Sequence, residues 1–200
     1  MSGIVAQNVG RNSGLVKAVS GGGEWTLIQT ITSDGSDDDI SFTSGLDSTY
    51  DEYCFVFLSI HPETDNSHFN FNASVDGGSN YNVTKTTVFH SAYHAESDAE
   101  KNFLYNRTYD FSSTTDGSLS IQASNDADHA LSGWLYLFAP SNTTFQKLFF
   151  SRMSANNEGS DTQDEYQGGY LNTTSAVDAM TFKFSGDEIQ AGSISLYGIG

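Results

Sequence analysis

Short runs of alternating apolar and polar residues, separated by turn-forming residues, occupy most of the chain after residue 23. A two-residue period is typical of β-strands that bury one face. The turns recur at roughly 8 to 15 residues, a spacing typical of a sandwich or barrel, and about eight to ten strands are expected. The candidate strands are Trp25–Ile31, Ile40–Phe42, Tyr53–Ile60, Phe69–Val75, Thr84–Tyr93, Phe103–Tyr109, Leu119–Ala123, Leu131–Phe138, Phe145–Met153, Ala179–Phe184 and Ile194–Ile199.

Two of these runs carry apolar residues on both alternating faces, which favours strands in the middle of a sheet. Tyr53–Ile60 is expected to be covered on both sides. Leu131–Phe138 places Trp134, Tyr136 and Phe138 on one side and Leu135 and Leu137 on the other. The polar stretch Ala155–Gln167 is interpreted as a long surface loop that meets a partner. Together the patterns predict an all-β fold, a single antiparallel jelly-roll-like β-sandwich over residues 24–200.

Residues 1–23 form a separate segment, which we interpret as an extended N-terminal anchoring arm. They contain two basic residues and no acidic residue, and they end in a run of three glycines. A Gly-rich tether of this kind suits a segment that docks on a neighbouring subunit. The residues expected at that interface are Ile4, Val5, Val9, Arg11, Leu15, Val16, Lys17 and Val19.

The excess of acidic residues makes some classes of binding partner unfavourable. The chain has 8 basic and 25 acidic residues and a formal net charge of −17. Such a protein repels phosphate, so nucleic acid and anionic membrane surfaces are not expected as partners. No apolar stretch has the length of a membrane span or the form of a signal peptide, so synthesis in a cytoplasm is expected.

Few residues suggest chemistry, and neither catalytic residues nor a cofactor are predicted. His90 and His94 lie four apart, as in some metal sites, but no third ligand accompanies them. The acidic turn Asp34–Asp39 offers oxygen ligands without the closing Glu of a calcium loop, and a solvated turn is favoured. Cys54 lies in an apolar run and is expected to pack as a small hydrophobic residue.

Sugar chemistry remains an alternative from another functional class. Acidic residues that form a catalytic pair for glycoside hydrolysis are brought together only by the fold. Aromatic side chains could also stack on sugars if they are exposed, although aromatic residues in strands are usually core. The candidates for stacking are Trp25, Tyr93, Tyr105, Tyr166 and Tyr170.

Several segments resemble small virion structural proteins of marine tailed bacteriophages, described as decoration or tail-fibre-like proteins. The resemblance spans most of the chain and is most specific at its two ends; it assigns no catalytic residue. The segments are SGIVAQNVGRNSGLVKAV, EWTLIQTITSDGSDDDISF, YDEYCFVFLSIHP, FNFNASVDGGSNYN, LFAPSNTTF and MTFKFSGDEIQAGSISLYGIG.

The resemblance implies a virion protein that is made in the host bacterial cytoplasm and is not an enzyme. Its expected role is that of a capsid decoration or cement protein, anchored by its arm to the major capsid protein or to another virion protein. A homo-oligomer such as a trimer would fit capsid symmetry. The alternatives are a tail or neck fibre that binds a host-surface glycan, and a carbohydrate-binding module or glycan hydrolase.

Overall fold

The computed structural model describes residues 23–115, 117–186 and 188–200, and in these ranges the chain is almost entirely β-structure. Besides strands and turns, the described part contains one short 3₁₀ helix, Arg107–Tyr109, and no α-helix. The strands are β1 (Trp25–Thr32), β2 (Ile40–Phe42), β3 (Glu52–Pro62), β4 (Ser67–Ser74), β5 (Lys85–Ala95), β6 (Lys101–Tyr105), β7 (Ser118–Ala123), β8 (Leu131–Phe138), β9 (Lys147–Asn156), β10 (Asp161–Leu171), β11 (Ala179–Phe184) and β12 (Ile189–Ile199).

The strands form two antiparallel sheets of unequal size. The large sheet has eight strands in the order β1-β12-β3-β8-β9-β10-β5-β6, and the small sheet has four in the order β2-β11-β4-β7. Their facing sides enclose one apolar core. This arrangement confirms the predicted antiparallel, jelly-roll-like sandwich. The segment 1–22, which carries all the predicted arm residues, lies outside the described residues.

Phenylalanines from both sheets meet at the centre of the core. The ring of Phe182 on β11 lies 4.9 Å from that of Phe55 and 5.1 Å from that of Phe57, both on β3. Phe69 on β4 packs against Phe57 at 5.3 Å, with the rings nearly perpendicular. Edge-to-face contacts of this kind add to the free energy of burial itself. Alternate residues of each strand thus supply the inner layer, as the two-residue period predicted.

Most predicted strands are confirmed to within a few residues, and Leu131–Phe138 has the predicted bounds. The run Phe103–Tyr109 is shorter than expected, because its strand ends at Tyr105 and Asn106 caps the 3₁₀ helix that follows. The prediction that Tyr53–Ile60 is central is confirmed, since β3 lies between β12 and β8. Its expected cover on both sides is wrong: Leu58 is exposed on the side away from the small sheet.

The predicted loop Ala155–Gln167 is also wrong. Its first residues end β9, a tight turn follows, and β10 then runs from Asp161 to Leu171 between β9 and β5. The sequence suggested a loop because the inward residues of β10 include Gln163, Glu165 and Gln167. These three polar side chains are nevertheless buried.

The buried polar side chains of β10 form hydrogen bonds with the backbone at the edge of the small sheet. β7 is the last strand of that sheet. The end of β9 and the turn after it reach its outer edge only near Gln122 and Ala123, so the backbone groups from Ser118 to Ile121 have no neighbouring strand there. Glu165 Oε1 accepts a hydrogen bond from Ile121 N at 3.0 Å, and Gln167 Nε2 donates to Ser118 O at 2.9 Å. With its amide oriented to satisfy its neighbours, Gln163 Nε2 donates to Ile121 O at 3.2 Å. Side chains thus replace a missing strand at a buried edge.

Burial in this polar layer raises the pKa of Glu165 to about 8, although the hydrogen bond from Ile121 N opposes the shift. Removing a carboxylate from water is costly, and the neutral acid avoids that cost. The ordinary pKa of the group is 4.5, so near pH 7 the folded protein holds a proton that the unfolded chain releases.

We therefore expect the substitution Glu165→Gln to change how stability depends on pH. In the wild type, the contribution of Glu165 to the free energy of unfolding falls as pH rises from about 4.5 to about 8, because the native state binds the extra proton over that window. Glutamine is neutral throughout and can still accept from Ile121 N. Urea denaturation at several pH values should show a flatter decline for the variant, and parallel curves would contradict the buried neutral acid.

Candidate interaction face

The most unusual surface of the protein is the side of the large sheet that points away from the small sheet, which we call the outer face. No second layer of the described chain covers it. Because side chains alternate along each strand, the residues between the core positions of β1, β3, β5, β6, β8, β9, β10 and β12 lie on this face. Many of them are aromatic, so the sheet is apolar on both sides in its middle.

One group of rings on the outer face lies over the strands nearest to β1. Trp25 on β1 packs at 5.4 Å from Tyr197 on β12 and at 6.1 Å from Tyr136 on β8. Tyr136 in turn stacks on Phe150 of β9 at 5.0 Å, and Phe150 lies 5.6 Å from Phe138. The contacts run through four strands of the sheet and form a continuous aromatic surface.

A second row of outward side chains crosses β8, β9, β10 and β5, two residues along each strand from the row of Tyr136 and Phe150. Arg152 lies between two rings, with its guanidinium carbon 5.1 Å from the centroid of Tyr166 and 6.0 Å from that of Trp134. His90 stacks on the other side of the row, parallel to Tyr166 at 5.0 Å. Arg152 is held by two hydrogen bonds to Asp164, of 2.9 and 3.0 Å, which also raise its pKa. The bound carboxylate neutralises the positive charge of the row.

Two further groups define the chemistry of the face. Cys54 is fully buried between Tyr197 and Tyr136, its neighbours on the adjacent strands, and burial raises the pKa of its thiol to about 12. This confirms that Cys54 packs as a small hydrophobic residue, and a thiol so protonated is unreactive. Glu52 lies on the same face opposite Phe138 and makes no ion pair with any residue that the structure describes.

The outer face carries most of the large apolar side chains that are exposed in the described part of the chain. These are Trp25, Leu27, Leu58, Val88, Phe103, Tyr105, Trp134, Leu148 and Phe150. Scattered apolar residues are normal on a protein surface, but a contiguous patch of this kind usually marks a contact with another molecule. The outer face is therefore the candidate functional site.

Four of the five aromatic residues proposed for sugar stacking lie on this face, namely Trp25, Tyr105, Tyr166 and Tyr170. Tyr93 does not, because it pairs with the inward residue Gln163. Sequence analysis missed the contribution of Trp134, Tyr136 and Phe138, which it assigned to the middle of a covered sheet. The alternation within β8 does separate these residues from Leu135 and Leu137, but it does not show which side is covered.

The two candidate metal positions are occupied by local interactions. His94 Nε2 lies 3.0 Å from Asp98 Oδ1, whereas His90 takes part in the aromatic row. In the acidic turn, Asp34 Oδ1 accepts hydrogen bonds from the backbone and side chain of Ser36. The described residues contain no cluster of three or more His, Cys, Asp or Glu side chains arranged to hold a metal ion.

A polar cleft of about 330 Å³ lies on the opposite side of the molecule, over the small sheet. Its lining includes Asp39, Asn70, Asn82 and Lys183. The hydroxyl of Tyr81, also in the lining, is buried and has no hydrogen-bond partner among the described residues. The cleft is thus chemically distinct from the outer face.

Comparison of the chain with protein-family models, with curated proteins and with solved structures found no match. Function must therefore be argued from the residues and their arrangement. In the described ranges, no helix has the length and apolar character needed to cross a membrane.

Two adjacent phenylalanines on β9 allow the exposure of the outer face to be tested. Phe149 points into the core and is 3% exposed, whereas Phe150 lies on the outer face and is 45% exposed. We expect Phe149→Ala to lower the free energy of unfolding by about 3–5 kcal/mol, as for buried phenylalanines elsewhere. Phe150→Ala should cost roughly 1 kcal/mol, because about half of its apolar surface is already in water. Chemical denaturation measures both, and equal losses would mean that the outer face is covered.

Proposed function

We propose that this protein is a structural component of a tailed-phage particle that acts by binding other proteins and catalyses no reaction. In its most specific form, it is a capsid decoration or cement protein whose N-terminal arm holds it to neighbouring subunits. The assignment to a phage particle rests on the sequence resemblance to virion structural proteins. The observation that supports binding as the function is the uncovered aromatic outer face.

The position of the first described residues supports a role for the arm. Gly23 N donates a hydrogen bond of 2.7 Å to Gly200 O, so the chain enters the sheet beside the end of β12. Trp25, two residues later, already belongs to the outer face. Gly23, the first residue after the segment 1–22, thus lies beside the exposed apolar surface. If many copies in one particle each make weak contacts, the contacts together would hold the protein firmly on the particle.

Deleting residues 1–20 tests this proposal in particles. Residues 23–200 supply both sheets and the core, so the shortened chain should fold with an unchanged far-UV circular dichroism spectrum. We expect it to be absent from purified particles, because the arm provides the anchor. Quantitative mass spectrometry of particles checks this outcome, with the full-length chain as control. Incorporation at the normal level would contradict the anchoring role.

The copy number separates the capsid from the second location on the particle. A decoration protein repeats over the capsid lattice, whereas a tail or neck fibre protein is present only a few times per particle. The same mass spectrometry, calibrated against the major capsid protein, therefore distinguishes the two. Electron microscopy of the intact particle would locate the protein directly.

A second candidate function is glycan binding, which the polar cleft over the small sheet favours. Its amide, hydroxyl and charged groups match the donors and acceptors of a sugar. On a particle, this would be recognition of a host-surface glycan. The cleft would do so without using the outer face.

A glycan array with three proteins tests this second function. Lys183→Ala removes an exposed charged group from the lining of the cleft, so the signal of any bound glycan should fall roughly tenfold, since a lost hydrogen bond to a charged group costs about 1.5–3 kcal/mol. Lys101→Ala is the matched control on β6 of the large sheet and should leave the signal unchanged. If the wild type binds no glycan, or if both variants bind equally, the cleft is not a glycan site. Release of free sugar would overturn the non-catalytic proposal.

A further inference from the structure

The outer face of an isolated chain lacks a cover, and the structure suggests what supplies it. We propose that residues 1–22 of a second copy of this chain lie across the outer face, so that copies are joined by exchanging their N-terminal arms. This inference rests on the proposed function and deepens it, since it names the surface that the arm binds.

The length of the arm allows it to reach the outer face of a neighbour. The apolar positions of the arm extend from Ile4 to Val19, which in extended form span about 50 Å. An eight-stranded sheet is only about 34 Å wide at the usual strand separation. A segment of this length is therefore long enough to cross from one molecule and span the outer face of a second copy. The outer face of the same chain is the alternative, and a monomeric wild type would indicate it.

The arm also complements the outer face in chemistry. The apolar residues predicted for its interface are Ile and Val with one Leu, side chains that pack well between exposed aromatic rings. Its two charges, Arg11 and Lys17, are positive, while the rest of the chain holds six basic and 25 acidic residues. On the outer face itself, Glu52 has no ion pair in the described part and Arg152 is already neutralised by Asp164. A basic arm could therefore pair with the carboxylate of Glu52, and the cation in the central row, Arg152, already has a partner.

The shape of the face gives the arm a place to lie. In the row that carries Tyr136 and Phe150, the next position on β10 is Gly168, followed by Val88 on β5. A Cβ at Gly168 would meet only Val88, at 4.0 Å, so the absence of a side chain there leaves a notch between Phe150 and Val88. A neighbour's Val or Ile side chain fits such a notch. Reciprocal exchange between identical copies then closes a symmetric oligomer.

Complementation between two full-length variants tests the proposal. Leu15→Asp with Val16→Asp damages the arm and leaves the face intact, whereas Phe150→Arg damages the face and leaves the arm intact. We expect the wild type to form dimers or closed trimers in sedimentation velocity, and each variant alone to be monomeric. Mixed in equal amounts, the variants should associate, because the intact arm of one can bind the intact face of the other. A monomeric wild type, or a mixture that stays monomeric, would overturn the proposal.

The chain offers controls for misfolding and for non-specific effects. Phe145→Arg is the matched change, since Phe145 is even more exposed than Phe150 but lies in the loop before β9 and not on a strand of the large sheet. It should behave like the wild type. Gly168→Arg introduces the same charge at a position of the outer face where there is room for it. It serves as a second face variant in case Phe150→Arg is unstable, and it should also be monomeric on its own. Association of both face variants at the wild-type level would overturn the proposal.

Tryptophan fluorescence provides a second readout. The protein has two tryptophans, Trp25 and Trp134, and both lie on the outer face with 45% and 38% of their surface exposed. Dilution of the wild type should therefore shift the emission to the red and increase quenching by acrylamide as oligomers dissociate. The same dilution of the arm variant should change neither. Equal behaviour of the two proteins would contradict cover by the arm.

Particle incorporation of the same variants separates this inference from the proposed function. If the variants complement each other in solution but the wild type is absent from particles, arm exchange stands and the virion role fails. If Phe150→Arg enters particles normally while the deletion of residues 1–20 does not, the arm binds a different virion protein. That outcome overturns the inference and leaves the proposed function in place.

Discussion

A sheet of eight strands packed against a sheet of four is the constraint from which the other features follow. The small sheet covers the inner side of the large one, where Phe55, Phe57 and Phe149 lie, and no described part of the chain covers the other side. Each strand has only two faces, so every second residue of the central strands points outward. The aromatic residues at those positions are costly to leave in water unless another molecule covers them.

Because the sheets differ in size, backbone groups at the buried edge of the small sheet need hydrogen-bond partners other than a strand. β7 ends beneath the large sheet, so its outer backbone groups from Ser118 to Ile121 are buried without a neighbouring strand. Glu165, Gln163 and Gln167 provide the missing hydrogen bonds, and burial keeps Glu165 neutral near pH 7. The polar layer also explains how a strand with so few apolar residues can lie in the interior. Its side chains are used as hydrogen-bonding groups and not as packing material.

The two surfaces of the sandwich suit different partners. The outer face is broad, aromatic and nearly neutral in its central row, which suits an extended apolar protein segment that buries many small contacts. The cleft over the small sheet is lined mostly by polar residues, which suits a small hydroxylated ligand. A particle protein could use both at once, since they lie on opposite sides of the molecule. Assembly and recognition would then be separable by mutation.

Alternation along a strand is a local property that each segment carries alone, so the sequence predicted the strand class, most strand positions and the sandwich. It also predicted which residues share a face, as the separation of Trp134 and Tyr136 from Leu135 shows. The tertiary structure was needed to show which of the two faces is covered, and it turned residues expected in the core into an exposed surface. It alone placed the polar run Asp161–Leu171 inside the large sheet. Both outcomes depend on contacts between residues far apart in the chain, such as Glu165 with Ile121, and a local pattern contains no information about such contacts.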